Sequence, residues 1–319
     1  MTALIAGFDA GQTHTTCRLA QASALGGLQP VGEGRGPGVS HLAAPGGEQR
    51  FATALQRSLA AAVTGMGSAA GELAAAAVGA SGIEAGSPVQ GQGQRLAAAT
   101  LALPGHRVVV TGDERTALRG AFPSGAGILV ISGTGCIAVG RDGEGREHRC
   151  GGWGWLLDGH GSAMDIGRDA LMASVRMADG RDEDTSLRSA LWSALDLATA
   201  QELKARVVQA DFGPAGFARL APWVDRLAES GDPQALAIIE RSAVGLGELV
   251  AGVARALALP SPPVAAVGGA LTHLDTLRRA WSADLAARLP GATVVAPQQD
   301  ACHGALLLAR EVMGPQRLT

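Results

Sequence analysis

Short apolar runs that end at glycine-containing turns alternate along this chain with stretches whose apolar positions recur at helical spacing. The first run, ALIAGFD at 3–9, leads through a tight turn into HTTCRLAQA, whose partial alternation predicts a second strand. Residues 28–36 predict a third strand before a loop rich in Gly and Pro, and 48–63 carry apolar residues at helical spacing. The succession continues with a buried strand at 73–80, a helix at 92–102, a strand at 107–112 and a helix at 113–121. Alternating β and α elements of this kind predict an α/β domain.

A cluster of Pro and Gly, PSGAG at 123–127, interrupts the periodicity and marks a linker, so a second domain is expected from 123. Its opening, GILVISGTGCIAVGRDG at 127–143, again gives an apolar strand, a tight Gly/Thr turn and a second apolar strand. Two such hairpins, each opening an α/β half, point to an internal duplication. Residues 162–256 read mainly as helices with breaks near Gly180, Gly213 and Gly231. A strand at 264–268, a helix at 270–289, a strand at 292–295 and a helix at 300–313 follow. At 319 residues the chain exceeds the usual size of a single domain, so two cores with a cleft between them are expected.

Composition narrows the function classes. Apolar residues make up 47% and charged residues 17%, a balance that suits packed domains and leaves little room for extended disorder. Aromatics are only 3%, with no Tyr, so the core must be aliphatic. A net charge of −3 gives no basic face for a nucleic-acid partner. The four cysteines, Cys17, Cys136, Cys150 and Cys302, lack CxxC or metal-finger spacing and read as reduced thiols. No apolar run reaches the roughly 20 residues of a membrane span, and no signal-type segment leads the chain, so a cytoplasmic location without membrane association is expected.

Three segments carry candidate chemistry. The first hairpin turn, Asp9-Ala10-Gly11-Gln12-Thr13, packs an acid, a glycine and a hydroxyl into one reversal. Backbone N–H groups in such turns form anion-binding nests, and a carboxylate at the strand end suits a magnesium ion held through water; an ordinary hairpin turn is the plain alternative. The second turn, Ser132-Gly133-Thr134-Gly135, opens the second half, and two such turns could grip one nucleotide. A Walker-type loop is excluded, because Lys204 is the only lysine and no GKS or GKT occurs. The third segment, Gly268-Gly269-Ala270 after the strand PVAAV, gives either a flat surface for an adenosine ring or a simple strand-to-helix turn.

This succession resembles the N-acetylglucosamine/glucosamine kinase branch of the BadF/BadG/BcrA/BcrD ATPase family, over nearly the whole length. CGGWGWLLDGHGSAMDIGRDAL at 150–171 is similar to the family's Gly-Gly-Trp-Gly stretch with its acidic Gly-Ser turn and helix. DAGQTHT and ISGTG resemble the two phosphate turns, VGGAL the adenosine segment and HGALLLAR the closing helix. The resemblance implies an α/β, two-domain actin/hexokinase-like (ribonuclease H-like) fold with an interdomain cleft. It further implies an N-terminal domain at 1–122 joined by the C-terminal helix at 300–319, and a C-terminal domain at 123–299.

The implied activity is transfer of the ATP γ-phosphoryl group to the 6-hydroxyl of N-acetylglucosamine or glucosamine, with ATP and Mg²⁺ as cofactors and a homodimeric assembly. Asp113, at the end of RVVVTGD, falls at the family's catalytic base. At the first turn of a helix its charge is favoured, so a low pKa is expected; a helix cap is the alternative role. Asp9 would hold the metal, and Gly11, Gln12, Thr13, Gly133, Thr134 and Gly135 the phosphates. Gly268, Gly269 and Ala270 would face adenosine. Gly152, Trp153 and Gly154 would form the sugar wall, with core packing as the alternative for Trp153 and for Trp155.

Two departures fall on sugar contacts. The family's turn reads Gly-Asp-Glu-Gly-Ser, whereas this chain has Asp158-Gly159-His160-Gly161-Ser162. Either Asp158 reaches the sugar through a shifted turn, or His160 makes a different contact or is only an exposed loop residue. Where the family carries an Asn in the loop before its first long helix, this chain has Ser40 and His41. The competing readings are an activator ATPase of the same family, which needs cysteine ligands for an iron–sulfur cluster, and a non-catalytic sugar sensor, which adds a basic helix-turn-helix before the fold.

Overall fold

The computed structural model describes residues 2–23, 27–66 and 71–313. The chain divides into two compact units, 1–125 with 297–319, and 126–296. The cuts thus fall after Gly125 and Ala296, where the sequence reading put them after 122 and 299.

In the first unit, β1 (Thr2–Ala10), β2 (His14–Ser23) and β3 (Leu28–Pro37) form an antiparallel meander, followed by α1 (Gly47–Thr64). Strand β4 (Leu73–Ala80), α2 (Pro88–Thr100), β5 (Val108–Thr111) and α3 (Asp113–Ala121) complete the sequential part. The sheet order is β3-β2-β1-β4-β5, with β4 parallel to both β1 and β5. Strand β4, LAAAAVGA, is apolar almost throughout because helices cover both faces of a parallel strand. One face packs Phe8, Leu19, Phe51 and Leu55 beneath α1, and the other packs Ile5, Ala77 and Leu306.

The second unit repeats this plan. Strands β6 (Gly127–Ser132), β7 (Cys136–Arg141) and β8 (Glu147–Gly151) form the meander. Six helices follow: α4 (Ala163–Ala178), α5 (Ser186–Ala194), α6 (Ala200–Val207), α7 (Gly213–Ala218), α8 (Ala221–Glu229) and the 24-residue α9 (Pro233–Ala256). Strand β9 (Pro263–Val267), α10 (Gly269–His273), α11 (Asp275–Arg288) and β10 (Thr293–Val295) end it, and α12 (Ala301–Met313) returns to the first unit. The sheet order β10-β9-β6-β7-β8 matches the first, with β9 parallel to β6 and β10. Two ribonuclease H-like sheets in one chain make the α/β, actin/hexokinase-like fold expected from the sequence. No helix among the described residues is long and apolar enough to cross a membrane.

Local signals explain most boundaries. Helix α9 starts at Asp232, whose carboxylate accepts from the N–H of Gln234 and Ala235, with Pro233 at the first helical position. Helix α4 opens on a capping box between Ser162 and Asp165. Two elements depart from the sequence reading. Strand β8, EHRCG, is a mostly polar edge strand without an apolar alternation to reveal it. The single helix expected at 270–289 is broken at Leu274, because buried Asp225 of α8 accepts from the N–H groups of Thr276 (3.3 Å) and Leu277 (2.9 Å) and so starts a new helix.

Candidate active site

Each unit carries its own set of groups at the ends of its central strands. In the first unit, Asp9 is the penultimate residue of β1, paired across the sheet with Thr16 of β2 and Gly79 of β4. The turn that follows closes through a hydrogen bond from Gly11 N–H to His14 O at 3.1 Å and leaves Gln12 and Thr13 exposed. The loop after β3 lies directly on this turn. Val39 N–H donates to Gly11 O at 3.0 Å, and a Cβ on Gly38 would stand 2.0 Å from Gln12 O, so only glycine fits there. Ser40 and His41 follow in the same loop. The Ser40 hydroxyl accepts from Arg50 Nε at 2.9 Å, and His41 Nδ1 accepts from Ala43 N–H at 3.2 Å.

Asp113 is the first residue of α3, one place past the Gly112 cap, and its Oδ1 accepts from Glu114 N–H at 3.1 Å. It is therefore not the helix cap. The expectation of a low pKa is overturned: burial pushes the Asp113 carboxyl up, and the backbone hydrogen bonds at the helix start only partly oppose this. Asp9 is pushed up to about 6, first by burial and then by the like charge of Asp113, with Asp300 adding to the rise and His14 opposing it. Two carboxylates thus sit close enough to feel one another where β1 and β5 end.

Asp300, just ahead of α12, was not singled out from the sequence. Both its oxygens accept from the Arg18 guanidinium at 2.7 Å, and Oδ1 also accepts from His303 N–H at 2.9 Å. The Arg18 pairing lies 282 positions apart along the chain, so no local pattern could show it. The acidic residue before an apolar helix was the only available signal.

In the second unit the sequence-picked segments converge. Buried Ser132, at the end of β6, donates its hydroxyl to Gly161 O at 2.5 Å, and Ala163 N–H donates to Gly133 O at 2.9 Å. The second Gly/Thr turn is thereby tied to the Gly-Ser turn and to the start of α4. Gly133 and Gly135 face open space, with nothing within 4 Å of an added Cβ. Gly268 has φ 96°, and a Cβ there would lie 2.3 Å from Ser132 O. Its backbone therefore packs against the strand end behind the turn, which gives this glycine a structural reason of its own. Gly269 and Ala270 begin α10, Gly269 exposed and Ala270 buried.

The Gly-Gly-Trp-Gly stretch leaves β8 as a loop, with Gly152 (φ 74°) and Gly154 (φ 88°) in left-handed conformations. Asp158 closes the loop: its N–H donates to Gly154 O, and its Oδ2 accepts from Trp153 N–H at 3.2 Å. Trp153 and Trp155 are 61% and 46% exposed, so neither is a core residue and the packing alternative fails for both. The Arg149 guanidinium lies 4.5 Å from the centre of the Trp153 ring. His160 is exposed. All four cysteines are free, and among the described residues no group of three or more His, Cys, Asp or Glu could hold a metal.

Residues 6–309 match the BadF/BadG/BcrA/BcrD ATPase family. An N-acetylmuramic acid/N-acetylglucosamine kinase of Clostridium acetobutylicum is 30% identical over 206 residues, 64% of this chain and 67% of that protein. An N-acetyl-D-glucosamine kinase of Dictyostelium discoideum is 31% identical over 191 residues, 57% of this chain and 59% of that protein. A candidate N-acetylglucosamine kinase from Chromobacterium violaceum, known as a crystal structure, superposes with a TM-score of 0.73 at 29% identity, covering 96% of this chain and 99% of that one. The chain belongs to the BadF/BadG/BcrA/BcrD ATPase family.

Proposed function

We propose that the protein is an ATP-dependent sugar kinase that phosphorylates an amino sugar, N-acetylglucosamine or glucosamine, at its 6-hydroxyl. The observation that carries the reading is the pair of half-buried carboxylates, Asp9 and Asp113, at the strand ends beside a Gly/Thr turn, in a chain whose second sheet repeats that turn. Phosphoryl transfer asks little covalent chemistry of a protein; it needs positioning, charge neutralisation and one base for the hydroxyl proton. Gly11, Gln12, Thr13, Gly133, Thr134 and Gly135 would cradle the phosphates, and the segment at Gly268–Ala270 would carry the adenosine. Trp153, its flanking glycines, Asp158, His160, Ser40 and His41 would line the sugar.

The residues present fit a magnesium ion. Asp9 is a half-buried carboxylate raised first by desolvation and then by the like charge of Asp113, and a divalent cation would relieve that repulsion. One carboxylate with water completing the shell is an arrangement that suits Mg²⁺. The ion would supply charge neutralisation on the phosphates. Asp113 accepts the sugar hydroxyl proton. Its raised pKa helps, because a base works best when its pKa approaches the operating pH. The protein would act in the cytoplasm and as a homodimer.

An ADP-release assay across N-acetylglucosamine, glucosamine, glucose, N-acetylmannosamine and a muramyl sugar tests this reading, with NMR of the product locating the phosphate. Sugar-dependent ADP release that requires Mg²⁺ is expected. ADP release indifferent to every sugar would point to an ATPase, and sugar binding without ADP release to a sensor.

A further inference from the structure

The hairpin that opens the second unit holds more than its own turn. Ser132 and Cys136 face one another across β6 and β7, one on either side of the Gly133–Gly135 reversal. Both reach the same neighbour. The Ser132 hydroxyl, in a side chain with no exposed surface, donates to Gly161 O at 2.5 Å, and the Cys136 thiol donates to the preceding carbonyl, His160 O, at 3.6 Å. Between them, Gly133 O accepts from Ala163 N–H at 2.9 Å. Three contacts therefore join 132–136 to 160–163, and all of them end on backbone atoms of the Gly-Ser turn. The His160 imidazole takes no part in them, its Nδ1 lying 3.6 Å from Oδ2 of Asp169 on α4.

Close packing keeps the joined pieces from drifting apart. A Cβ added to Gly245 of α9 would lie 2.7 Å from His160 O, and one added to Gly161 would lie 2.8 Å from the Leu246 side chain, so α9 backs the turn from behind. A Cβ on Gly268 would stand 2.3–2.9 Å from the backbone O, C and N of Ser132. The phosphate turn, the Gly-Ser turn and the glycine pair after β9 thus meet on one buried serine. A buried hydroxyl needs an acceptor, and many carbonyls would satisfy it. This one takes the carbonyl of the turn assigned to the sugar, from the residue that leads directly into the turn assigned to phosphate.

We propose that Ser132 is a positioning residue that fixes the sugar turn to the phosphate turn, so that sugar and nucleotide bind cooperatively through it. A ligand that orders the Gly-Ser turn orders the hairpin through these contacts. The ligand that follows then pays less to order a turn already set. Such coupling is reciprocal: each ligand tightens the other by the same factor. The proposal rests on the kinase reading, which gives the two turns their ligands.

The test measures affinity for a non-hydrolysable ATP analogue by titration calorimetry, with and without saturating N-acetylglucosamine, in wild type, Ser132→Ala and Cys136→Ala. In wild type the sugar should tighten nucleotide binding at least about fivefold, with the same factor found when the order is reversed. Ser132→Ala should cut that factor below about twofold, and Cys136→Ala, which removes only the longer contact, should cut it less. A smaller folded fraction lowers the number of sites and leaves this ratio alone, so a merely structural role does not move it. Absence of linkage in wild type, or linkage undiminished in Ser132→Ala, overturns the proposal. Should Ser132→Ala fail to fold, amide exchange in the wild type decides. The analogue alone should slow exchange of the Ala163 N–H several-fold, because its acceptor is Gly133 O, and an unchanged rate overturns the proposal. Sugar-dependent ADP release is assayed separately. A wild type that binds both ligands without turnover fails as a kinase, while the ratio still decides for or against Ser132.

Discussion

The two hairpin turns of this chain share a topology and differ in charge. The first, at Asp9–Thr13, stands beside half-buried carboxylates, Asp9 itself and Asp113, each pushed up by desolvation, with Asp300 adding to the rise at Asp9. The second, at Ser132–Gly135, contains no acid; a buried hydroxyl, open glycines and the Gly268 backbone build it. The same sheet order occurs twice, with the charge chemistry in one copy and the shape in the other. The difference teaches where variants should act: those of the first turn on rate and pH dependence, those of the second on affinity and local stability.

The sharpest break of that contrast is Asp113→Asn. Asparagine keeps the shape and the hydrogen bond from Glu114 N–H but cannot take a proton, so kcat should fall at least about a hundredfold in a folded protein that still binds ATP and sugar. Near-normal kcat would remove Asp113 from the chemistry and move the base elsewhere, Asp158 being the next carboxylate to test.

Asp9→Asn should separate activity from stability. A carboxyl whose folded pKa stands at about 6 against an ordinary 3.8 favours the folded state fully only below 3.8; that contribution is lost as pH rises through 6. At neutral pH the ionised Asp9 therefore burdens the metal-free protein by an amount on the order of 1–3 kcal/mol. Asp9→Asn should melt higher than wild type at pH 7 without Mg²⁺, converge with it near pH 4, and lose most activity. If Asp9 holds the cation as proposed, wild-type activity at sub-saturating Mg²⁺ should decline below about pH 6, where protons compete for the carboxylate. A variant no more stable than wild type at pH 7, measured by thermal melts across pH, would show that Asp9 is not under this strain.

The legible parts of the molecule were those written locally. The hairpins, the strand ends at Asp9 and Asp113, and the glycine-bearing turns all announce themselves in runs of ten residues or fewer. What the sequence hid was tertiary. The cap that Asp225 places on α11, the Arg18–Asp300 pair and the His160–Asp169 approach join residues that no periodicity links. The reversed direction of the Asp113 pKa has the same origin: the helix start was visible, but its burial was not, and burial wins.

In the second half, Gly268→Ala tests shape without charge. The residue would have to adopt φ 96° with its Cβ 2.3 Å from Ser132 O, so a cost of about 1–3 kcal/mol is expected from the backbone alone. Because Gly268 lies behind the second turn, the KM for ATP should rise while kcat changes little. Thermal melts and ATP titrations read both effects, and a variant as stable as wild type would show that the strand end relaxes freely.

The smallest effect belongs to Trp155, and it sharpens the comparison by contrast with Trp281. Both are tryptophans of the second unit, yet Trp281 of α11 is 1% exposed whereas Trp155 is 46% exposed on the Gly-Gly-Trp-Gly loop. Removing a buried indole leaves a cavity, so Trp281→Ala should cost about 3–5 kcal/mol. Trp155→Ala removes a ring that is already half in water and lies away from any cap or core, so its effect on stability should stay within about 0.5 kcal/mol. The loop is held instead by Asp158, through Gly154 O and the Trp153 N–H, and those bonds do not involve the Trp155 side chain. An exposed indole on the loop proposed to line the sugar is free to meet that ligand. The Trp155→Ala protein should therefore melt with wild type and bind the amino sugar several-fold more weakly, within the range of a single apolar contact. A drop in melting temperature comparable to that of Trp281→Ala would return Trp155 to the core and take the loop out of the sugar site.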